Sequence, residues 1–131
     1  NRTPMSGLPD SWHVGQELYR LAGVGPTDID VAQLYDPFSL GGILQLEELG
    51  FCGRGEGTDF IAGGDNIRVG GTIPINTSGG LLSEAYIHGY NLIIEAVRQI
   101  RGTSTSQVDD VELSMVTGGP GLPTSGMILR K

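Results

Sequence analysis

The sequence is short of cysteine, of basic residues and of long apolar runs, and each shortage excludes a class of protein. Its single cysteine, Cys52, has no partner for an internal disulfide, which favours a reducing compartment. The chain has eight basic and 15 acidic residues, which gives a net charge of −7. A surface that binds nucleic acid is therefore not expected. No apolar run approaches the ~20 residues that cross a bilayer, and no signal peptide is recognisable. We therefore expect a cytoplasmic protein without a membrane span.

Glycine, in contrast, is abundant, with 22 of 131 residues, and it gathers in loops rather than in a repeat. Glycine allows close backbone approach and left-handed conformations, which suits loops beside a ligand as well as ordinary surface turns. The chain begins at Asn1 rather than at Met, so we expect a cut or processed end. Its length suits one domain or part of one.

Hydrophobic spacing and turn residues divide the chain into three helices and three strands. The helices are predicted over residues 10–22, 39–49 and from 86–90 to 100. The strands are predicted over residues 29–35, 111–117 and 126–130. Between them, residues 51–80 are expected to be mostly irregular, with at most a short strand near 68–75. So long an irregular stretch is uncommon unless it serves a site.

This order of elements, α-β-α-loop-α-β-β, indicates a layered α/β sheet whose last two strands form a hairpin. In the second helix, Leu40 and Leu46 are expected to face the core, whereas Glu47 and Glu48 are expected to face water. Three strands and three helices with apolar faces leave apolar surface uncovered, and another layer of structure would be needed to bury it. We therefore expect a portion of a larger fold or an obligate partner; a small self-contained α/β domain is the alternative.

Four segments, in this order, resemble motifs of the thiolase superfamily, and the nearest subgroup is the lipid-transfer-protein and sterol-carrier-protein-type thiolases. The segments are Asp30–Phe38, Leu46–Glu56, Ile75–Glu84 and Val116–Gly121. The resemblance covers residues 11–130 and implies that residues 1–131 form a C-terminal thiolase-like domain of a longer enzyme. The family's reactive-cysteine segment belongs to the N-terminal half, so the layered fold is expected to be incomplete without it.

The chain departs from ordinary thiolases at three positions that carry their chemistry. Tyr35 stands where those enzymes have the Asn of an Asn-Glu-Ala-Phe motif. Tyr86 stands where they have the catalytic His of Gly-His-Pro, and Val116 replaces their second cysteine. Since Val116 cannot move a proton and Cys52 belongs to another motif, thiolysis is not expected.

Two phenols suit a different reaction, because a tyrosine hydroxyl both donates and accepts hydrogen bonds. A retro-aldol cleavage needs a base for the β-hydroxyl and an acid for the enolate. We assign Tyr86 as base and Tyr35 as acid, although the sequence also allows the reverse. His88 is a third catalytic candidate that could tune a phenol. On pattern alone, Tyr35 also suits strand-end packing, Tyr86 a helix-start aromatic, His88 a surface residue and Tyr90 packing.

The segment Tyr86–Asn91 is similar to that of bacterial steroid side-chain aldolases. That resemblance implies cleavage of a 17-hydroxy steroid side chain, carried as a CoA thioester, to a 17-ketosteroid and propionyl-CoA. It implies no cofactor beyond that thioester, a homodimer, and a small partner protein with an OB-like domain of the DUF type. It also implies substrate-binding residues, for which the candidates are Asp36, Gly79, Gly80, Gly118 and Gly119.

The last two of these glycines follow a predicted strand, and their backbone N–H groups could form an oxyanion hole for the thioester enolate. A tight hairpin turn is the alternative interpretation. No metal site is predicted, because His13 and His88 have no accompanying cysteine pair. Two other functions stay open: a non-catalytic lipid or acyl-CoA carrier or scaffold, and a degenerate thiolase that still transfers acyl groups.

Overall fold

A three-stranded sheet lies at the centre of the computed structural model, which describes residues 9–119 and 124–131. Strand β1 (Val31–Gln33) pairs in parallel with β2 (Leu113–Thr117), which pairs antiparallel with β3 (Gly126–Arg130). The predicted hairpin is therefore confirmed. Of the short strand considered near residues 68–75, only an isolated bridge between Ile75 and Ala32 forms, at the free edge of β1.

Five α-helices accompany this sheet in the described ranges. They are α1 (Pro9–Ala22), α2 (Ser39–Glu48), α3 (Gly57–Ile61), α4 (Gly80–Ser83) and α5 (Tyr90–Arg101). The predictions of α1 and α2 are confirmed, whereas the short α3 and α4 fall in or beside the stretch that was expected to be irregular. The third long helix begins within its predicted range of residues 86–90, although Tyr86, considered as a helix-start aromatic, lies in the loop before it. That helix begins at Tyr90, because Gly89 takes a left-handed conformation with φ of 85°.

The helices cover both faces of the sheet, so the expected layered α/β architecture is confirmed. Strand side chains alternate between the faces, as the β pleat requires. Leu34 packs with Leu46 and other residues on the α1–α2 side, whereas the next residue, Tyr35, packs with Leu92 and Val116 on the α5 side. The end of β1 therefore places Tyr35 on the same side of the sheet as α5.

Two side-chain predictions on α2 are wrong. Leu40 is 62% exposed instead of facing the core, and Glu48 is only 2% exposed instead of facing water. The buried face of α2 is continued by Leu49, and a Cβ at Gly15 of α1 would lie only 2.8 Å from a Leu49 methyl. The close approach of α1 therefore sets the rotation of α2. Glu48 lies 3.8 Å from the Arg54 guanidinium.

No helix in the described ranges has both the length and the apolar character needed to cross a membrane.

Replacing Leu92 with alanine tests the packing of α5 on the sheet. Leu92 is fully buried in the cluster that contains Tyr35. We expect Leu92→Ala to lower the free energy of unfolding by about 2–5 kcal/mol, through lost burial and a residual cavity. Urea denaturation of the protein measures this change. Gln16→Ala, at an exposed position of α1, is the control and should stay within about 0.5 kcal/mol; equal effects of the two substitutions would contradict the packing.

Candidate active site

The hydroxyls of Tyr35 and Tyr86 meet at 3.1 Å, although the residues are 51 positions apart. Tyr35 follows β1 and is buried, whereas Tyr86 lies in the loop between α4 and α5 and is 57% exposed. Tyr35 donates this hydrogen bond and Tyr86 accepts it. The structure therefore brings the two predicted phenols together as a pair with one buried and one exposed member.

Gly89 makes room for the buried member of this pair. A Cβ at Gly89 would lie 3.2–3.3 Å from two ring carbons of Tyr35, a tighter contact than side chains ordinarily make. Its backbone φ of 85° is also one that favours glycine. A glycine is therefore needed at this position both for the turn into α5 and for the Tyr35 ring beneath it.

The hydrogen bond to Tyr86, together with burial, raises the pKa of the Tyr35 phenol above its ordinary value of about 10. A donated hydrogen bond favours the protonated phenol, and loss of hydration disfavours the phenolate. Tyr35 therefore remains protonated at neutral pH, which is the state that a general acid requires.

His88 lies beside the exposed phenol, with its ring centroid 4.7 Å from that of Tyr86 and the rings tilted by 57°. Its backbone is in the left-handed region, with φ of 53°. His88 is exposed, and this contact places it next to Tyr86 rather than next to Tyr35. Tyr90, predicted to pack, is instead 68% exposed at the start of α5, so that prediction is wrong.

Asp36, Gly79 and Gly80 hold the loop that leads toward Tyr86. Asp36 is buried, and its Oδ1 accepts the Leu81 N–H at 2.8 Å. Gly79 and Gly80 both have positive φ, and a Cβ at Gly80 would collide with the Asp36 carboxylate. These contacts give all three residues a role in loop structure, and substrate binding by them stays a prediction.

At the end of β2, the two glycines of the predicted oxyanion hole differ. The Gly118 N–H donates to the Ser125 carbonyl at 2.8 Å, so it is already engaged within the hairpin. That leaves the oxyanion interpretation to the buried Gly119, for which it stays a prediction. Pro120 and Gly121, which were expected to complete a sharp turn, lie outside the described residues.

A cavity of about 270 Å³ separates this hairpin from the loop that precedes α5. His88 and Gly89 line one side, and Val116, Thr117 and Gly118 line the other. Because Gly89 also covers the Tyr35 ring, the cavity adjoins the phenol pair. Val116, at the position of the second thiolase cysteine, presents only an apolar side chain to it.

Cys52, the single cysteine of the sequence, adds no nucleophile to this arrangement. Burial, followed by the charges of Glu47 and Glu56, raises the pKa of the Cys52 thiol to about 11. Cys52 is therefore a thiol rather than a thiolate nucleophile at neutral pH. Within the described part of the chain, no three His, Cys, Asp or Glu side chains gather as metal ligands.

Two polar residues that the sequence reasoning missed contact the backbone of Tyr35. The Tyr35 N–H donates to the Thr117 hydroxyl at 2.8 Å, and the Gln45 side-chain amide donates to the Tyr35 carbonyl at 2.7 Å. A signal existed for Gln45, which interrupts an apolar run on α2. Thr117 stood inside a motif that attracted attention only for Val116 and for its glycines.

Residues 7–130 match the family model described as thiolase C-terminal domain-like, and the chain belongs to this family. The expected thiolase resemblance and fold are thereby confirmed. A solved structure of an Ltp2-ChsH2(DUF35) aldolase superposes with a TM-score of 0.94 at 55% identity, covering 98% of this chain and 34% of that chain.

Among curated proteins, the chain is similar to two bacterial enzymes. It is 56% identical over 128 residues to the steroid side-chain-cleaving aldolase of Thermomonospora curvata, covering 98% of this chain and 32% of that protein. It is also 56% identical to the 17-hydroxy-3-oxo-4-pregnene-20-carboxyl-CoA lyase of Mycobacterium tuberculosis, covering 98% and 33%. Sterol carrier protein 2 of Rattus norvegicus is 37% identical over 101 residues, covering 75% and 18%. The chain thus spans about a third of the length of the two bacterial relatives.

Removing the Tyr86 hydroxyl tests the electrostatic coupling of the phenols. We expect Tyr86→Phe to lower the pKa of Tyr35, because the hydrogen bond that favours its protonated form is lost. Tyrosine ring-carbon NMR through an alkaline titration resolves Tyr35 among the four tyrosines. Tyr90→Phe, an exposed neighbour, is the control and should leave the Tyr35 titration in place. An unchanged Tyr35 titration in Tyr86→Phe would argue against the contact.

A pair of glycine substitutions tests the fit of Gly89 over Tyr35. Gly89 and Gly102 flank α5 with φ of 85° and 68°, but a Cβ at Gly102 meets nothing within 4 Å. Gly102→Ala should therefore cost only the left-handed strain of about 1–2 kcal/mol. We expect Gly89→Ala to cost more and to shift the Tyr35 ring signals. Equal losses in urea denaturation, without a Tyr35 shift, would show that the close contact is absent.

Proposed function

We propose that this chain is the C-terminal part of a longer thiolase-fold lyase that cleaves a β-hydroxyacyl-CoA by a retro-aldol reaction. The observation that carries the proposal is the 3.1 Å contact between the Tyr35 and Tyr86 hydroxyls. It stands beside a cavity where Val116 occupies the position of the second thiolase cysteine. The site therefore combines two proton-transferring groups with the loss of a residue that thiolysis needs.

The proposed reaction moves one proton from oxygen to carbon and breaks one carbon–carbon bond. A base takes the proton of the β-hydroxyl, and the freed electron pair forms a carbonyl as the Cα–Cβ bond breaks. The bonding pair passes to Cα as a thioester enolate, which an acid then protonates. The atoms and electrons balance without an oxidant or reductant. The substrate's own thioester stabilises the enolate, so we propose no cofactor beyond the CoA that carries the substrate.

The contact between the phenols supports Tyr86 as the base and Tyr35 as the acid. The raised pKa of Tyr35 keeps it protonated, and burial shields that proton from water. Tyr86 is exposed enough to meet a substrate hydroxyl, and it accepts rather than donates in the contact. As a base, Tyr86 must act in its phenolate form. Once Tyr35 has protonated the enolate, the proton that Tyr86 gained passes to Tyr35 along their hydrogen bond and restores the starting pair. His88 beside Tyr86 is the proposed third member.

The two bacterial relatives support the substrate part of the proposal, because their names specify steroid side-chain cleavage and a 17-hydroxy-3-oxo-4-pregnene-20-carboxyl-CoA lyase. In such a substrate the 17-hydroxyl is β to the thioester, so the proposed cleavage yields a 17-ketosteroid and propionyl-CoA. The superposed aldolase supports a DUF35-type partner, since its own name includes one. A homodimer and a cytoplasmic location complete the proposal.

Single substitutions of the phenols test the mechanism in the longer enzyme. We expect Tyr35→Phe and Tyr86→Phe each to lower kcat by about 10²–10⁴-fold, the usual contribution of a positioned acid or base. Chromatographic release of the ketosteroid and propionyl-CoA from the steroid-CoA measures turnover. Tyr19→Phe removes a tyrosine hydroxyl that donates to the Leu49 carbonyl and does not line the cavity beside the phenol pair, so it is the control and should keep its kcat.

The same assay separates the proposed lyase from the two other functions. Binding of the steroid-CoA by the wild-type protein without any product would indicate a carrier. Exchange of the thioester with free CoA would indicate residual acyl transfer. Full retro-aldol turnover in both phenylalanine variants would rule out the phenols as acid and base.

A further inference from the structure

The backbone of Tyr35 lies in a closed ring of three side-chain-mediated hydrogen bonds. Its N–H donates to the Thr117 hydroxyl at 2.8 Å, and that hydroxyl donates to the Gln45 Oε1 at 2.6 Å. The Gln45 Nε2 then donates back to the Tyr35 carbonyl at 2.7 Å. The ring therefore fixes both polar groups of the Tyr35 backbone.

This ring lies where the sheet no longer supports Tyr35. The parallel register of β1 and β2 ends at the pair Gln33 and Val116, two residues before Tyr35. Thr117 is the next residue of β2, and its hydroxyl provides the partner that a continued ladder would have supplied. Gln45 reaches the same point from α2. The position of Tyr35 consequently depends on two side chains rather than on strand pairing.

Burial makes the ring costly to break. Gln45 is fully buried and Thr117 is 3% exposed, so water cannot replace a lost partner. The Gln45 Nε2 makes one further hydrogen bond, to the Gly41 carbonyl at 3.1 Å, which fixes the side-chain amide to its own helix. Because each member of the ring both receives and donates, removal of one hydroxyl leaves an unmatched donor and an unmatched acceptor.

We infer that Thr117 and Gln45 are positioning residues that hold the Tyr35 phenol against Tyr86 for proton transfer, an inference that rests on the proposed function. Thr117 also lines the cavity and precedes Gly118. Its hydrogen bond to the Tyr35 N–H therefore fixes the position of the proposed acid relative to the end of the hairpin. A small displacement of a catalytic group has a large kinetic effect, about 10²-fold for 1 Å. The ring therefore acts on rate through Tyr35, without contact to the reacting atoms.

Two substitutions of Thr117 in the longer enzyme separate its hydroxyl from its shape. Thr117→Val keeps the branched side chain but loses the hydroxyl, and we expect kcat to fall about 10–100-fold with little change in KM. Thr117→Ser keeps the hydroxyl and should restore most of kcat. Ser114→Ala is the control, since Ser114 is a buried hydroxyl of the same strand without a hydrogen-bond partner in the described structure. It should leave kcat unchanged.

Two readouts distinguish positioning from a general loss of stability. In a Tyr35→Phe background, Thr117→Val should cause no further loss of kcat, because a positioning residue acts only through its target. In Thr117→Val alone, tyrosine NMR should show Tyr35 titrating at lower pH, since its contact with Tyr86 is weakened. Gln45→Met, which removes two bonds of the ring, should give the same two signatures and serves if Thr117→Val folds poorly.

Wild-type kcat in Thr117→Val, or an equal loss in Thr117→Val and Thr117→Ser, would overturn the inference. A further loss in the Tyr35→Phe background would also overturn it. If Tyr35→Phe is inactive while Thr117→Val is fully active, only the positioning role fails. If the wild-type enzyme releases no product, the proposed function fails. The NMR titration still tests the ring in that case, and an unchanged Tyr35 signal in Thr117→Val would refute it.

Discussion

The parallel pairing of β1 with β2 is the contact on which the candidate site depends. Parallel strands end at the same edge of a sheet, and in α/β proteins ligands bind beyond their carboxyl ends. Here that edge places Tyr35, after β1, next to Thr117 and the glycines after β2. Residues 82 positions apart thereby become neighbours. Neither the phenol nor the hairpin end would have a fixed partner if β1 were displaced.

A second set of contacts fastens the loop that carries Tyr86 to the same edge. The Asn76 side chain accepts the Leu34 N–H at 2.7 Å and donates to the Leu34 carbonyl at 3.0 Å. Asp36 holds the Leu81 N–H, and Thr77 donates to the buried Glu95 of α5. Each contact satisfies a backbone or carboxylate group that burial would otherwise penalise. The polar groups at this edge therefore build the site by completing the hydrogen bonds that the short strand leaves open.

The sequence predicted the elements with strong local signals, and it located the chemistry on Tyr35 and Tyr86 through motif positions. It could not predict that their hydroxyls touch, because that contact depends on the strand register and on the fastened loop. The orientations of Leu40 and Glu48 were wrong for a similar reason, since the approach of α1 at Gly15 decides which face of α2 is buried. The sequence placed the start of α5 within residues 86–90, and the left-handed Gly89 decides that it falls at Tyr90 rather than at Tyr86. Local patterns identify residue types and periods, whereas tertiary contacts decide rotation and register.

The difference in exposure within the phenol pair gives the proposed chemistry its direction. The raised pKa keeps the proton on the buried Tyr35, and its hydroxyl donates to the Tyr86 oxygen 3.1 Å away. Tyr86, which is 57% exposed, is open to a substrate on its other side. In the proposed reaction, Tyr86 therefore takes the proton of the substrate hydroxyl, whereas Tyr35 gives its proton to the enolate from a fixed position. Such a pair suits a reaction that takes a proton from oxygen and returns one to carbon, and it offers no nucleophile for an acyl intermediate.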